Sequence, residues 1–268
     1  MKQFNRTARA VIGTLEVSSL AMAFEVSHTA TPAPNNCKLE IRNLNATSRK
    51  SLEVTGKALP IELYAGYGDE AQRIFKGQVR IAQTALNGRD VITTLEAGDE
   101  ERAVRHARIS ATIAPGDSAS VLMEKAAEAL GVGLGNLASV LTKVAALRSL
   151  LPQGGAIHGS AARAMDRACK AYGYQWSIQQ GQLLILDAHA VKESAELIAA
   201  GTGLIGAPKV DSKKHVSFDC LLRPSLAIGE SFKLESAFIN GGFRVLEFTH
   251  KGDTHGEAWT TSVVCDKV

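Results

Sequence analysis

The sequence predicts an α+β chain, mainly β, in which two small β-barrel-like domains flank a small α/β module. Three observations carry this. Apolar and polar residues alternate over most of the first 115 residues, the spacing turns helical after Pro115-Gly116, and alternation returns after residue 201. The boundaries read in this way are 1–115, 116–200 and 201–268.

In the first region VIGTLEV reads as a strand, followed by a second at Ala23 to Val26. Leu39 and Ile41 alternate with Lys38, Glu40 and Arg42, Ile61 and Leu63 follow Pro60, and Val79 and Ile81 flank Arg80. Ala107, Ile109, Ala111 and Ile113 alternate with polar neighbours. A period of two gives each strand one wet face and one buried face. Asn87-Gly88, between VRIAQTAL and RDVITTLEA, marks a tight hairpin, because both residues tolerate positive φ. The same N-terminus imitates a secretory signal, with Lys2, Arg6 and Arg9 before an apolar stretch and Ala21-Met22-Ala23 as a cleavage-like site. Glu16 stands in the middle of that stretch, where an ionised carboxylate is costly, so the strand reading is preferred.

In the middle region Asp117 or Ser118 caps a helix with Val121, Leu122, Lys125, Ala126, Ala129 and Leu130 on one stripe, closed by Gly131. Ser160 caps a second helix, with Ala161, Met165, Cys169 and Tyr172 on a face and Gly173 as its stop. YGYQWSIQQGQLLILD then forms a hairpin around Gln180-Gly181, placing Trp176 and Ile178 opposite Leu183 and Ile185. Beyond residue 201, strands at Val216 to Leu222, Ser231 to Glu235, Phe243 to Phe248 and Ala258 to Val264 are separated by turn-rich RPSLAIGE, INGG and HKGDTHGE. GQVRIAQTALNGRDVITTLEAGD lies well beneath GGFRVLEFTHKGDTHGEAWTTSVVCD, matching the leading glycines and the Thr-Thr pairs, so the two β regions read either as repeats or as two unrelated hairpins.

Composition narrows the function classes. Hydrophobic content of 45% and Gly 24 against Pro 7 are those of a folded globular chain. The 30 Lys and Arg are spread among 27 Asp and Glu, which argues against a nucleic-acid grip. The apolar run 133–151 carries Lys143 and Arg148 and fails as a membrane span. Cys37, Cys169, Cys220 and Cys265 show no CxxC spacing, and Cys220 and Cys265 fall in phase with buried strand positions, so reduced core thiols are expected.

Several groups invite a chemical reading, and each has a structural one beside it. His250, Asp253 and His255 in THKGDTH suggest a metal, yet the segment reads as a β-turn. Gly131, Gly133 and Gly135 suggest a phosphate loop without the strand before it or the Lys-Ser/Thr after it. Asp69-Glu70 and Asp99-Glu100-Glu101 read as solvated turns, Ser160 lacks a nucleophile elbow, and Trp176 and Trp259 read as core anchors. No catalytic, cofactor-binding or metal site is expected.

The order of motifs along the chain carries a resemblance. Gly203-Leu204-Ile205-Gly206 with Pro208, then Cys220-Leu221-Leu222-Arg223-Pro224 with Gly229, Phe243-Arg244-Val245, His250 with Gly252-Asp253, and Trp259-Thr260-Thr261 resemble the baseplate hub and tail-tip proteins of tailed bacteriophages, the late control protein D-like family. KLEIRNLNATSRKSL, PIELYAGY with IFKGQV, and YGYQWSI add to it. The resemblance implies a non-enzymatic structural subunit at the distal end of the virion tail, folded in the host cytoplasm before assembly. It implies a homotrimer of duplicated barrel-like domains, a pseudo-sixfold ring around the DNA channel between tail tube protein and central spike protein, with other baseplate proteins around it. Neither sequence-specific nucleic-acid binding nor stable membrane insertion is implied. Ending at Val268, the chain is expected to lack an appended spike or lysozyme domain, leaving wall cutting to a partner. Two other classes fit parts of the sequence: a secreted or periplasmic β-rich binding protein, from Ala21-Met22-Ala23 and the cysteines, and a peptidoglycan hydrolase.

Overall fold

A computed structural model of the chain describes residues 5–52, 59–99, 105–145, 147, 153–187 and 196–268. Lys2, Glu100, Glu101 and Arg148, singled out above, lie outside the described residues. The chain divides into two compact units, one of Met1–His28, Asn35–Gly98 and Val191–Val268, the other of Thr29–Pro34 and Asp99–Ala190.

The first unit begins with the stretch that imitates a signal. β1 (Arg6–Ile12) and β2 (Leu15–Val17) form a hairpin, and Ala8, Ala10, Ile12 and Val17 are buried. Alternation puts Arg9 outside, where it pairs with Glu16 at 3.2 Å and lies over the Tyr64 ring, so the glutamate that spoils a signal core serves the wet face of a sheet. β3 (Met22–Thr29), β4 (Asn36–Arg42), β5 (Leu59–Tyr67), β6 (Gln72–Asn87) and β7 (Asp90–Gly98) follow. Phe24, Val26, Leu39, Ile41, Leu63, Phe75 and Leu95 share one core. The β6–β7 loop is Gly88-Arg89, closed by Asn87 opposite Asp90, one residue further along than the Asn87-Gly88 turn read from sequence.

After the second unit the chain returns as β12 (Leu197–Ala199), a 3-10 turn, β13 (Leu204–Val210), β14 (Val216–Leu221), β15 (Ser231–Glu235), β16 (Asn240–Asp253) and β17 (Trp259–Lys267). The chain is mainly β, and among the described residues no closed barrel forms: one 13-stranded sheet runs β13-β14-β17-β16-β3-β4-β7-β6-β5-β1-β2, with β12 and β15 branching from β16. The reason is the pairing of β16 with β3, which joins the N-terminal and C-terminal strands by hydrogen bonds. Thr254 N donates to Met22 O at 2.9 Å, Lys251 pairs with Glu25 at 3.4 Å and Ser27 bonds Thr249 at 3.0 Å, so the two strands run in opposite directions.

The two sets of strands repeat one another. β3-β4-β7-β6-β5 and β13-β14-β17-β16-β15 have the same order and the same antiparallel senses. Each long hairpin carries a bulge, at Arg80 in β6 and at Leu246 in β16. Matching the bulges makes Val79 equivalent to Val245, and Ala97 to Cys265. Thr84–Thr93 and His250–Thr261 then become equivalent cross-strand pairs, each joined by a side-chain hydrogen bond, with Thr93 and Thr261 both buried. The sequence alignment, which sets Gly77 on Gly241 and Thr93 on Thr260, is therefore displaced within a real repeat. A two-residue loop in one copy and a longer one, Thr254 to Glu257, in the other account for part of the slip.

In the second unit β8 (Arg108–Ile113) pairs with β9 (Gly155–Ser160), not with the strands that precede it. Ile109 points into a core shared with helices, which is why its alternation belongs here. α2 (Ala119–Leu130), numbered after the short α1 (Ala46–Ser51), buries Leu122, Met123, Ala126, Ala127 and Leu130. Its face is thus turned toward Met123 and Ala127 from the expected stripe, and Val121, Lys125 and Ala129 are only half-buried. α3 (Leu137–Val144) follows, and α4 (Ala161–Ala171) buries Ala161, Ala164, Met165, Ala168 and Cys169. β10 (Tyr174–Gln179) and β11 (Gln182–Asp187) pair Trp176 with Ile185 and Ile178 with Leu183, as the sequence reading has it.

Candidate functional site

Among the described residues, several of the groups that invited a chemical reading are held in strands, turns and caps of the fold. His250 stands inside β16, not in a turn, and is 1% exposed. Its Nδ1 is hydrogen-bonded to Thr261 Oγ1 at 2.8 Å, and that oxygen also accepts from Arg223 N at 3.0 Å. His28 faces it from β3 at 6.5 Å between ring centroids, and Phe248 flanks both rings. Burial, helped by the neighbouring His28, pushes the His250 imidazole down to about 3, so it is neutral at physiological pH. Asp253 Oδ1 accepts from His255 N at 2.8 Å and Gly256 N at 2.9 Å, shaping the loop. Among the described residues no group of three or more His, Cys, Asp or Glu side chains is placed to hold a metal ion.

This arrangement carries a pH dependence. Between about 6.5, where a free imidazole titrates, and about 3, the unfolded chain binds a proton that the folded chain refuses, so stability is full above that window and falls as pH drops through it. Lowering the pH from 7 to 5 is expected to cost about 2 kcal/mol from His250 in urea unfolding. His250→Asn, which keeps a polar partner near Thr261, is expected to remove most of that slope. An equal slope in both chains would exclude His250 as its source.

Gly252, across from Trp259, has no room for a side chain: a Cβ there would stand 2.3 Å from the Phe24 ring. The HxGD stretch of the resemblance is thus a packing site between β3 and β16. GVGLG is likewise structural. Gly133 N donates to Gly181 O at 2.9 Å, and at Gly135, with φ at +50°, a Cβ would meet Leu183 O at 1.8 Å, so the connection lies against the β10–β11 hairpin. Asn136 then pairs with both backbone groups of Ile185.

Asp99 is buried and caps the same hairpin, accepting from Gln180 N at 2.7 Å and Gly181 N at 3.2 Å, while Asp69 and Glu70 are exposed turn residues. Ser160 is a helix cap that accepts from Arg163 N. Trp176 and Trp259 are core residues at 2% and 1% exposure. The four cysteines are free and buried, and burial pushes each thiol up to about 12, far from a reactive thiolate. An open cavity of about 490 Å³ in the second unit is lined by Pro32, Tyr174, Trp176 and α4, whose Asp166 and Lys170 pair with each other at 2.8 Å. No helix among the described residues is long and apolar enough to cross a membrane.

Arg223, quoted above only as part of a motif, is a buried charge to which the sequence reading gave no role. The Arg223 side chain, 5% exposed, pairs with Glu196 and donates to Thr202 O at 2.6 Å and Leu197 O at 3.4 Å. It fastens β12 and the 3-10 turn that lead into β13. An arginine beside a proline in a turn-rich stretch carries no local sign of this, since its partners precede it by some twenty residues or more.

Comparison with curated protein sequences returned no match. Among solved structures, the 43 kDa tail protein of prophage MuSo2 from Shewanella oneidensis superposes with a TM-score of 0.71 at 7% identity, over 98% of this chain and 97% of that one. A tail protein from Neisseria meningitidis MC58 gives 0.68 at 8% identity, over 98% and 96%. The E. coli c3393 protein, described as a component of the type VI secretion system with structural similarity to T4 tail proteins gp27 and gp5, gives 0.62 at 8% identity, over 97% and 76%. At such identities the likeness is one of fold. The sequence itself supplies the rest, since residues 11–265 match the family described as Baseplate hub gp41, and the chain therefore belongs to the phage baseplate hub family.

Proposed function

We propose that the chain is a structural subunit of the tail tip, forming a homotrimeric, pseudo-sixfold ring that joins the tail tube protein to the central spike protein around the DNA channel. In this reading the strands of residues 6–98 and of 197–267 are two barrel-like modules, and the helical module lies between them in sequence. It acts without catalysis at the distal end of the virion tail, after folding in the host cytoplasm, and other baseplate proteins complete its surroundings. The observation that carries this is the repeated strand order with its equivalent bulges and equivalent Thr93 and Thr261 pairs. Three copies of a duplicated module present six similar surfaces, which suits an adapter between sixfold and threefold symmetry, and a cyclic trimer needs only one repeated interface. Native mass measurement of the isolated chain, followed by imaging of intact particles, is expected to show three copies in a ring at the tail's end. A single copy in every assembled particle would refute the proposal.

A further inference from the structure

The repeat is incomplete in one respect. β3 lies between β4 and β16, whereas its counterpart β13 has only β14 beside it among the described residues. Among the described residues, the half of β6 beyond its bulge, counterpart of the stretch of β16 that receives β3, also has only β7 beside it.

Register shows which backbone groups are left open. Asn87 and Asp90 close a two-residue hairpin and exchange both hydrogen bonds, so alternation turns the N–H and C=O of Ala82, Thr84 and Leu86 away from β7. On β13, the bonds from Asp211 N to His215 O and from Leu221 N to Gly203 O set the alternation, and Leu204 and Val210 point their backbone groups away from β14. Gly206 to Pro208 bulge between them, so pairing is available on either side of the proline.

The side chains agree. Ile81 and Leu86 on β6 are 43% and 78% exposed, and Ile205 and Val210 on β13 are 42% and 58% exposed. Residues 81–88 carry no charge. A long, uncharged, partly apolar edge lacks the protection that exposed strands otherwise show, and such an edge is a template for another strand.

We propose that this edge of β6 receives β13 of a second copy of the chain, as β16 receives β3 within one copy. The internal junction supplies the register. Val210 pairs with Val216 as Val26 pairs with Cys37, and Thr84 is the equivalent of His250, which lies opposite Val26. Val210 of one copy therefore falls opposite Thr84 of the next. The two edges differ, so the contact is head-to-tail and closes only as a ring. The number of copies, three, rests on the function proposed above; the pairing itself rests on the edges.

Full-length chain carrying only Thr84→Cys is mixed with full-length chain carrying only Val210→Cys, and the mixture is mildly oxidised. A covalent dimer is expected from the mixture and from neither chain alone, and a covalent trimer from the doubly substituted chain. Leu86→Lys is expected to weaken association at least about tenfold by placing a charge in the junction, with the urea midpoint of the subunit unchanged. A trimer by mass that forms no 84–210 link, or that tolerates Leu86→Lys, overturns the strand pairing and leaves the ring standing. A chain that is a monomer by mass both alone and in purified tails overturns both.

Discussion

Trp259→Ala is expected to destabilise the protein by about 4 kcal/mol, the range for deleting a fully buried tryptophan. The size follows from what the indole holds together. It belongs to β17, near the end of the chain, yet it joins the core formed by strands from the first hundred residues. Phe24 of β3 meets it edge-on with centroids 5.5 Å apart, Tyr67 of β5 lies at 6.5 Å, and the Arg6 guanidinium stands 5.7 Å from the ring centroid. Arg6 in turn donates to Gly256 O at 2.6 Å and Glu257 O at 3.2 Å, closing the β16–β17 loop over β1. Removing the ring opens a cavity where the two repeated strand sets meet, and neither set refills it without moving its partner. Trp259→Phe is the control. Nε1 of Trp259 has no hydrogen-bond partner among the described residues, so phenylalanine gives up volume alone and is expected to cost less than half as much. Urea unfolding of the two variants checks this, and a Trp259→Ala chain within about 1 kcal/mol of the parent would show that the ring does not bridge the strand sets.

The part of this arrangement that is local was legible in the sequence. Gln180-Gly181 sets its own hairpin, Ser160 and Gly173 bracket α4, and the alternation of Leu39 and Ile41 or of Phe218 and Cys220 states which face is dry. What escaped was every decision made by distant partners. β8 has the pattern of a strand but nothing in it names β9, and β9 itself, mostly exposed, has no alternation to see. α2 carries apolar or small residues on both flanks of its stripe, so periodicity alone leaves its rotation open, and the core it shares with α4 takes Met123 and Ala127. His250 reads as a turn residue because Gly252 and Asp253 follow it; the strand continues because Phe24 needs the space that Gly252 leaves. In the repeat, glycine matched glycine at positions that are not equivalent, Gly241 at the start of β16 and Gly77 inside β6, while the bulges that mark true equivalence have no signature in composition. At the candidate site, the buried cap made by Asp99, read from sequence as a solvated turn, and the packing of His250 against His28 were not legible, because the partners are distant in sequence.

Arg223→Ala is the second large effect, expected at about 3 kcal/mol, because it removes a buried cation that pairs with Glu196 and leaves the Thr202 carbonyl without the guanidinium donor. Glu196 is 28% exposed, so water recovers part of the loss and the value belongs at the lower end for broken buried pairs. Arg223→Lys is expected to recover little, since one ammonium cannot reach Glu196, Thr202 and Leu197 together as the planar fork does. Arg223→Met combined with Glu196→Gln is expected to cost less than the sum of the two single changes, because both remove the same ion pair; strictly additive losses would mean that the pair is not coupled. The consequence reaches past the subunit. Arg223 fastens β12 and the turn before β13, and β13 is the strand proposed to meet the next copy. Arg223→Ala is therefore expected to lower stability and association together, whereas Leu86→Lys lowers association alone. That contrast separates a residue that positions an edge from one that lies in it.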